Sequence, residues 1–144
     1  VYNVIIARTE QQKKDAFAVR KKVFVEEQNV PLHLEIDDFD TSDDVVHFVL
    51  YENDTVVGAA RIRESEPGVA KIERVCIERD YRGKNLGLLI MQEIEKHVHT
   101  LPFTAMKLNA QTYAIPFYEK LGFVVTSVEF LDAGIPHRSM EKTI

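Results

Sequence analysis

Apolar residues change their spacing along the chain, and each change marks an element. Tyr2 to Ala7 reads as a first strand. From Thr9 to Gln28 the apolar residues Ala16, Phe17, Val19, Val23 and Phe24 recur at helical spacing, with Thr9 as the N-cap. Asn29-Val30-Pro31 ends that helix, because a residue before proline is pushed out of the helical region. Val46–Tyr51 and Val56–Arg63 read as strands joined by a Glu52-Asn53-Asp54-Thr55 turn, and Glu64–Gly68 as the turn into another strand, Val69–Ile77. Leu86, Leu89, Ile90, Ile94 and Val98 form the stripe of an amphipathic helix. Ala105–Ala110 reads as a strand and Ala114–Leu121 as a short helix stopped by Gly122. Phe123–Phe130 and His137–Thr143 read as closing strands. The order β-α-β-β-β-α-β-α-β-β, with no repeat or linker, predicts one domain over residues 1–144. Its class is α/β (α+β), a mixed sheet with helices on both faces.

Composition narrows the chemistry. With 45% hydrophobic and 28% charged residues, the chain has the mix of an ordinary globular domain. A net charge of −5 argues against nucleic acid as a partner, since phosphate backbones demand a basic face. No apolar run approaches a membrane span and no signal-peptide pattern opens the given sequence. The single cysteine, Cys76, cannot form an intrachain disulfide, in keeping with a cytoplasmic location. The five histidines show no metal-ligand spacing, so no metal is expected.

The sharpest motif is Arg82-Gly83-Lys84-Asn85-Leu86-Gly87, between a strand and a helix. The first N–H groups of a helix lack internal partners, and the helix dipole adds partial positive charge there. With Arg82 and Lys84 beside them, these donors suit a phosphate-bearing ligand. The loop is neither a Walker A sequence, which ends in Gly-Lys-Ser/Thr, nor a dinucleotide GxGxxG. Alone, it is also compatible with a plain strand–helix turn.

Three blocks together resemble the GNAT superfamily of acyl-CoA-dependent N-acetyltransferases. They are the loop RGKNLG, the strand KIERVCI before it, and LNAQTYAIPFYEKLGF after it. In the N-terminal half, VRKKVFVEEQNVP, EIDDFD and His47 resemble the ElaA/YjcF-like bacterial branch, and FLDAGIPH near the end agrees. The loop departs from the family pattern at Asn85, where glycine or alanine is usual; asparagine tolerates positive φ better than other non-glycine residues.

The resemblance implies a GNAT fold whose mostly antiparallel sheet splays between its fourth and fifth strands. It implies acetyl-CoA as acyl donor and a small amine or amino sugar as acceptor. Gly83, Lys84, Asn85, Leu86 and Gly87 would bind the pyrophosphate of coenzyme A through backbone N–H groups, with charge from Arg82 and Lys84. Val75, Cys76 and Ile77 would bind the pantetheine arm through backbone, and Asn109 through its amide. Tyr118 would be the general acid for the departing thiolate, the competing reading being a packing aromatic. Glu73, sharing a face with Lys71, Val75 and Ile77 by simple alternation, would be the base; the competing reading pairs it with Arg61 or Arg74. Glu27 and His137 are further acceptor-side candidates. The same alternation puts Cys76 on the other face from Glu73, as a buried core thiol and not an acyl-carrying nucleophile.

Glu35–Asp44 carries six carboxylates without the glycine and glutamate offsets of an EF-hand. It reads as a solvated face, the alternative being that Glu26, Glu27, Glu35 and Asp37 make an anionic mouth attracting a cationic amine. Two rival functions stay open: a non-catalytic acyl-CoA-sensing module, and an acyl-homoserine lactone synthase, for which the chain is short. Oligomeric state is open too, a homodimer being common among small proteins of this resemblance.

Overall fold

A computed structural model describes residues 1–144. Eight strands form one sheet: β1 (Tyr2–Ile6), β2 (Val46–Glu52), β3 (Thr55–Glu66), β4 (Val69–Ile77), β5 (Ala105–Gln111), β6 (Val124–Val125), β7 (Phe130–Asp132) and β8 (Ile135–Thr143). Their order is β1-β2-β3-β4-β5-β8-β6, with β7 also on β8. Every pairing is antiparallel except β4 with β5. Four α-helices, α1 (Glu10–Arg20), α2 (Leu32–Glu35), α3 (Leu86–His99) and α4 (Ile115–Lys120), complete the chain.

Both faces of the sheet are covered. On one side Ile90, Ile94 and Val98 of α3 pack on Phe48, Ile62, Ile72, Met106 and Met140. On the other, Ala16 and Val19 of α1 pack on Val49, Ala59 and Cys76. Thr9 caps α1 through a reciprocal box: Gln12 N–H donates to its hydroxyl (3.1 Å) while Gln12 Oε1 accepts from the Thr9 N–H (3.1 Å).

Several elements differ from the sequence reading. The long first helix is α-helical only to Arg20 and continues as a π-helical stretch, Lys21–Glu27. Gln28 N–H donates to the Val23 carbonyl at 3.1 Å, the wider ring of that geometry. The expected strand Phe123–Phe130 is broken into the short β6 and β7, and β8 begins at Ile135, ahead of His137. The acidic segment is only in part a solvated loop, with Asp38, Asp43 and Asp44 exposed. It forms α2 and a 3₁₀ turn at Asp38–Thr41, with Glu35 and Asp40 at 1% and 4% exposure.

One irregularity shapes everything that follows. Arg74, inside β4, has φ 58°. The β3–β4 register slips there, from Arg61↔Glu73 to Ala59↔Cys76, so Arg74 and Val75 together face one β3 residue. The bulge shifts the alternation. Glu73 and Cys76 lie opposite β3 residues two apart and therefore share a face, contrary to simple alternation. Gly58 lets β3 approach the bulged strand, since a Cβ there would stand 2.9 Å from the Cys76 carbonyl oxygen.

Candidate active site

The parallel β4–β5 ladder runs from Val69↔Ala105 to Ile72↔Leu108 and stops. Past Ile72, Glu73–Ile77 keeps β3 on one side and has no strand on the other, so its outer backbone groups are open to a ligand. The gap belongs to a cleft of ≈ 860 Å³. Its walls include Val75, Cys76 and Ile77 of β4, Asn109 of β5, Tyr118 of α4, and His137 of β8, with Arg82, Gly83 and Gly87 at one end. A hollow of ≈ 720 Å³ elsewhere, lined by Ile6, Thr9, Phe48 and Lys96, contains none of these residues.

At the loop end, Gly83 and Asn85 both lie at positive φ, 81° and 60°. Asn85 is the N-cap of α3 and its side chain makes no cap bond, so no side chain satisfies the first N–H groups of the helix. The asparagine at the departure from the family pattern thus takes the left-handed conformation, which asparagine tolerates better than other non-glycine residues. Gly87 faces Phe117, whose ring would lie 3.5 Å from an added Cβ, an ordinary contact.

The two loop cations are in different states. Arg82 is held by a fork to Glu27, with Nη1 and Nη2 at 2.6 and 2.9 Å from its carboxylate oxygens, and its Nε donates to the Ile77 carbonyl at 3.0 Å. Arg79 adds a looser contact to Glu27 at 3.7 Å. The hydrogen bond from Arg82 holds the Glu27 carboxyl below its ordinary pKa, so Glu27 is a spent partner and not a free acceptor group. Lys84 has no carboxylate partner; its ammonium lies 5.3 Å from the Tyr81 ring centroid. Beside this latch, Gln111 at the end of β5 donates to Gln28 at 2.9 Å. The π-helical turn therefore spans from the loop after β4 to the end of β5. Neither Gln28 nor Gln111 carries a sequence signal, because the bond joins residues 83 positions apart.

Asn109 sits opposite Ser139 in the β5–β8 register. The Ser139 hydroxyl donates to its Oδ1 at 2.8 Å, which fixes the amide and points its NH₂ away as a free donor. Tyr118 is 9% exposed and packs edge-on against Phe117 and Phe123, so the packing role is real. Its ring also lines the cleft, and burial pushes its phenol well above the ordinary value. His137, 8% exposed, stacks on Phe130, and its Nδ1 lies 2.6 Å from the Ile135 carbonyl oxygen. A carbonyl only accepts, so Nδ1 carries the proton, and a neutral ring then has its lone pair on Nε2.

Glu73 is in a different condition from the one a base needs. Arg61 Nε lies 3.1 Å from its carboxylate, Arg63 Nε 2.9 Å and Lys71 Nζ 3.4 Å. Burial alone would raise its pKa, but the Arg63 hydrogen bond and the Arg61 and Lys71 charges outweigh it, and the net direction is down. Arg74 is not among its partners: it donates from Nε to Glu35 Oε2 at 2.7 Å and from Nη2 to the Leu34 carbonyl at 3.1 Å.

Behind these residues lies a buried network. Arg20, fully buried, forks onto Glu35 and Asp40, with contacts of 2.8 and 2.6 Å. Arg61 bridges Asp37 (2.7 Å), Asp40 (2.9 Å) and Glu73. Glu35, Asp37 and Asp40 are thus paired with arginines from α1, β3 and β4 and do not form an anionic mouth, while Asp38, Asp43 and Asp44 are exposed and carry no ion pair. His47, near this network, is held neutral mainly by burial, and its Nδ1 has no partner. Cys76 is buried and its thiol is pushed up to about 12 by burial, which removes it as a nucleophile. No cluster of His, Cys, Asp or Glu is arranged to hold a metal ion, and no helix is long and apolar enough to cross a membrane.

A strand edge left open past Ile72, running down to a helix N-terminus that no side chain caps, offers backbone donors and acceptors to an extended ligand with an anionic end. The chain belongs to the GNAT acetyltransferase family: the family described as "Acetyltransferase (GNAT) domain" matches residues 8–144. It is 45% identical over 139 residues to the uncharacterized N-acetyltransferase YjcF of Bacillus subtilis, covering 96% of this chain and 97% of YjcF. ElaA of Escherichia coli (strain K12) is 33% identical over 129 residues, 88% of this chain and 84% of that protein. The crystal structure of Escherichia coli ElaA matches the fold with a TM-score of 0.86 over 99% of this chain and 98% of the ElaA chain.

Proposed function

We propose that this protein moves an acetyl group from acetyl-CoA directly to the primary amine of a small molecule. The carrying observation is the parting of β4 and β5 after Ile72 and Leu108, beside the uncapped start of α3. Loop N–H groups from Gly83 to Gly87 bind the pyrophosphate, with Lys84 as the uncommitted cation. Open backbone groups of Val75, Cys76 and Ile77 and the free NH₂ of Asn109 bind the pantetheine amides. A backbone N–H of the same open edge stabilises the tetrahedral oxyanion.

Of the two proton steps, the acid stays with Tyr118 and the base moves from Glu73 to His137. The amine must lose a proton to attack and stay acylated. A neutral His137 with its lone pair on Nε2 is a better acceptor for that proton than Glu73, whose carboxylate is already engaged by three cations. Tyr118 stays protonated throughout the neutral range and donates a hydrogen bond to the sulfur as thiolate charge builds. Its raised pKa suits a bond that strengthens along the reaction, with proton transfer late. The buried, reduced Cys76 agrees with a cytoplasmic enzyme.

The test is thiol release from acetyl-CoA against a panel of amines, with wild type, Tyr118→Phe and His137→Gln, beside a thermal shift with CoA. Turnover with at least one amine, reduced in both variants while the CoA shift persists, supports the reading. A CoA shift without turnover by any amine favours an acyl-CoA sensor, and no shift at all sinks the cleft assignment.

A further inference from the structure

We propose that the acceptor is an amine that carries its own carboxylate, an amino acid in chemical class, held with its carboxylate against Lys71 and Arg74 of β4. This rests on the acetyltransfer reading above and names the substrate class for the same cleft.

The argument starts from what is left over in the charged network. Arg20, Arg61, Arg63, Lys71 and Arg74 face Glu35, Asp37, Asp40 and Glu73, one positive charge in excess. The surplus is not spread evenly. Arg20 is fully buried with every nitrogen bonded to Glu35 or Asp40. Arg61 places all three of its nitrogens on carboxylates. Arg74 uses Nε and Nη2 on Glu35, Leu34 and Asp37, and its Nη1 bonds to nothing in the chain. Lys71 has one contact, 3.4 Å to a Glu73 oxygen that Arg63 also approaches at 3.4 Å. Arg74 and Lys71 both line the cleft, with side chains about one-fifth exposed.

Register reinforces the sign. Lys71 lies between Arg63 on β3 and Lys107 on β5, so three cations stand side by side across the sheet. Lys107 has a carboxylate, Glu66, only at 4.0 Å. An oxyanion brought to Lys71 meets this row and the open Nη1 of Arg74, whereas an ammonium brought there meets cations whose carboxylates are already taken.

The opposite wall has the other sign. Asp132, at the β7–β8 turn, is the cleft-lining carboxylate with no ion pair, and His137 follows on β8. A cleft with incompletely paired cations on β4 and an unpaired carboxylate on the β7–β8 hairpin that also carries His137 fits a zwitterion: carboxylate to β4, ammonium to the β7–β8 hairpin. The backbone supports a functional reading of Arg74, since an arginine at φ 58° is strained, and the strain puts its guanidinium on the cleft.

The test uses binding, so that it does not depend on turnover. N-acetyl derivatives of the twenty common amino acids and their C-terminal amides are titrated by calorimetry into the CoA-saturated full chain. We expect at least one acid to bind about 10- to 100-fold tighter than its own amide, the range for one charge-assisted contact pair. That ratio should fall below about threefold in Lys71→Met, which loses one long contact and keeps the buried network, and persist in Lys107→Met. Arg74→Gln should abolish it too, with thermal melting used to check that the chain is folded. Amides binding as tightly as acids, or no member of the panel binding, overturns the proposal, as does a ratio unchanged in Lys71→Met. A chain that binds the acids selectively yet releases no thiol would sink the acetyltransfer reading and leave the carboxylate site on β4 standing.

Discussion

At one end of the cleft, the arginine–carboxylate network has nearly every donor committed; at the other, the Gly83–Gly87 loop presents N–H groups that no side chain caps. Both regions are rich in charge and both border the same open strand edge. The network uses its charge to fix α2 and the Asp38–Thr41 turn against β3 and β4. The loop leaves its donors free. Charge that is paired and buried builds the wall, and charge or dipole left over does the binding, so the uncommitted donors (Lys84, the Asn109 NH₂, Arg74 Nη1) and the loosely held Lys71 outrank the merely charged groups.

The largest expected effect lies between the two regions. Tyr118→Phe keeps the aromatic packing and removes the hydroxyl, so turnover should fall about 10²–10⁴-fold, the range for a positioned proton donor. CoA binding should hold within about twofold. Wild-type turnover in this variant would return Tyr118 to a packing role.

Next comes the wall. Arg20→Met removes the fully buried guanidinium shared by Glu35 and Asp40 and leaves each with one arginine, Arg74 and Arg61, and removing one partner of such a network costs roughly 3–5 kcal/mol of stability. Chemical denaturation reads this as a lower midpoint with an unchanged slope. The same network sets the acid limit. Asp37, Asp40 and Glu73 all have folded pKa values depressed below their unfolded ones. Their contribution is therefore fully present above about pH 4 and is lost as pH falls through the folded values. Buried His47, whose folded pKa lies below its unfolded one, adds a shallow loss as pH falls below about 6.5, where the unfolded ring takes a proton that the buried ring resists. Melting temperature should therefore be flat only near pH 7, decline gently below about 6.5 and drop steeply below about pH 4. A steep loss that sets in at neutral pH would mean that some other group carries it.

The loop's latch gives a smaller effect of opposite sign. Glu27→Gln frees the Arg82 guanidinium for phosphate oxygens, so CoA should bind a few-fold tighter at low salt. Lys84→Ala should weaken CoA by a similar factor. If Glu27→Gln weakens CoA instead, the Glu27–Arg82 pair positions the loop and does not compete with the ligand.

How much of the molecule is legible in its sequence depends on range. The loop, the α3 stripe and the Thr9 cap are local, and residue spacing alone locates them to within a residue or two. The acidic segment looks solvated in sequence because its partners are remote: Arg20 lies 15 and 20 residues from Glu35 and Asp40, and Arg74 lies 39 from Glu35. Spacing cannot say that a carboxylate run will be met by three arginines. The bulge is invisible for a different reason. A positive φ is usually announced by glycine or asparagine, and here arginine adopts it, held by Glu35 and the Leu34 carbonyl. That single residue reverses the relation between Glu73 and Cys76 that simple alternation implies, while Cys76 is a core thiol all the same because it is buried.

Asn85 offers the finest separation of the two kinds of region. Its side chain bonds to nothing at the cap, so its value is conformational: φ 60° at the point where the loop turns into α3. Asn85→Gly should therefore leave stability within a few tenths of a kcal/mol and CoA affinity within about twofold, since glycine reaches the same φ freely. Asn85→Ala should cost about 1 kcal/mol, the penalty of a Cβ in the left-handed region, and should weaken CoA if the loop relaxes to escape it. Such a pattern, tolerant of glycine and averse to alanine, belongs to a backbone site. Equal damage from both would show that the Asn85 amide itself touches the ligand, and would move it from the group that shapes the loop to the group that binds.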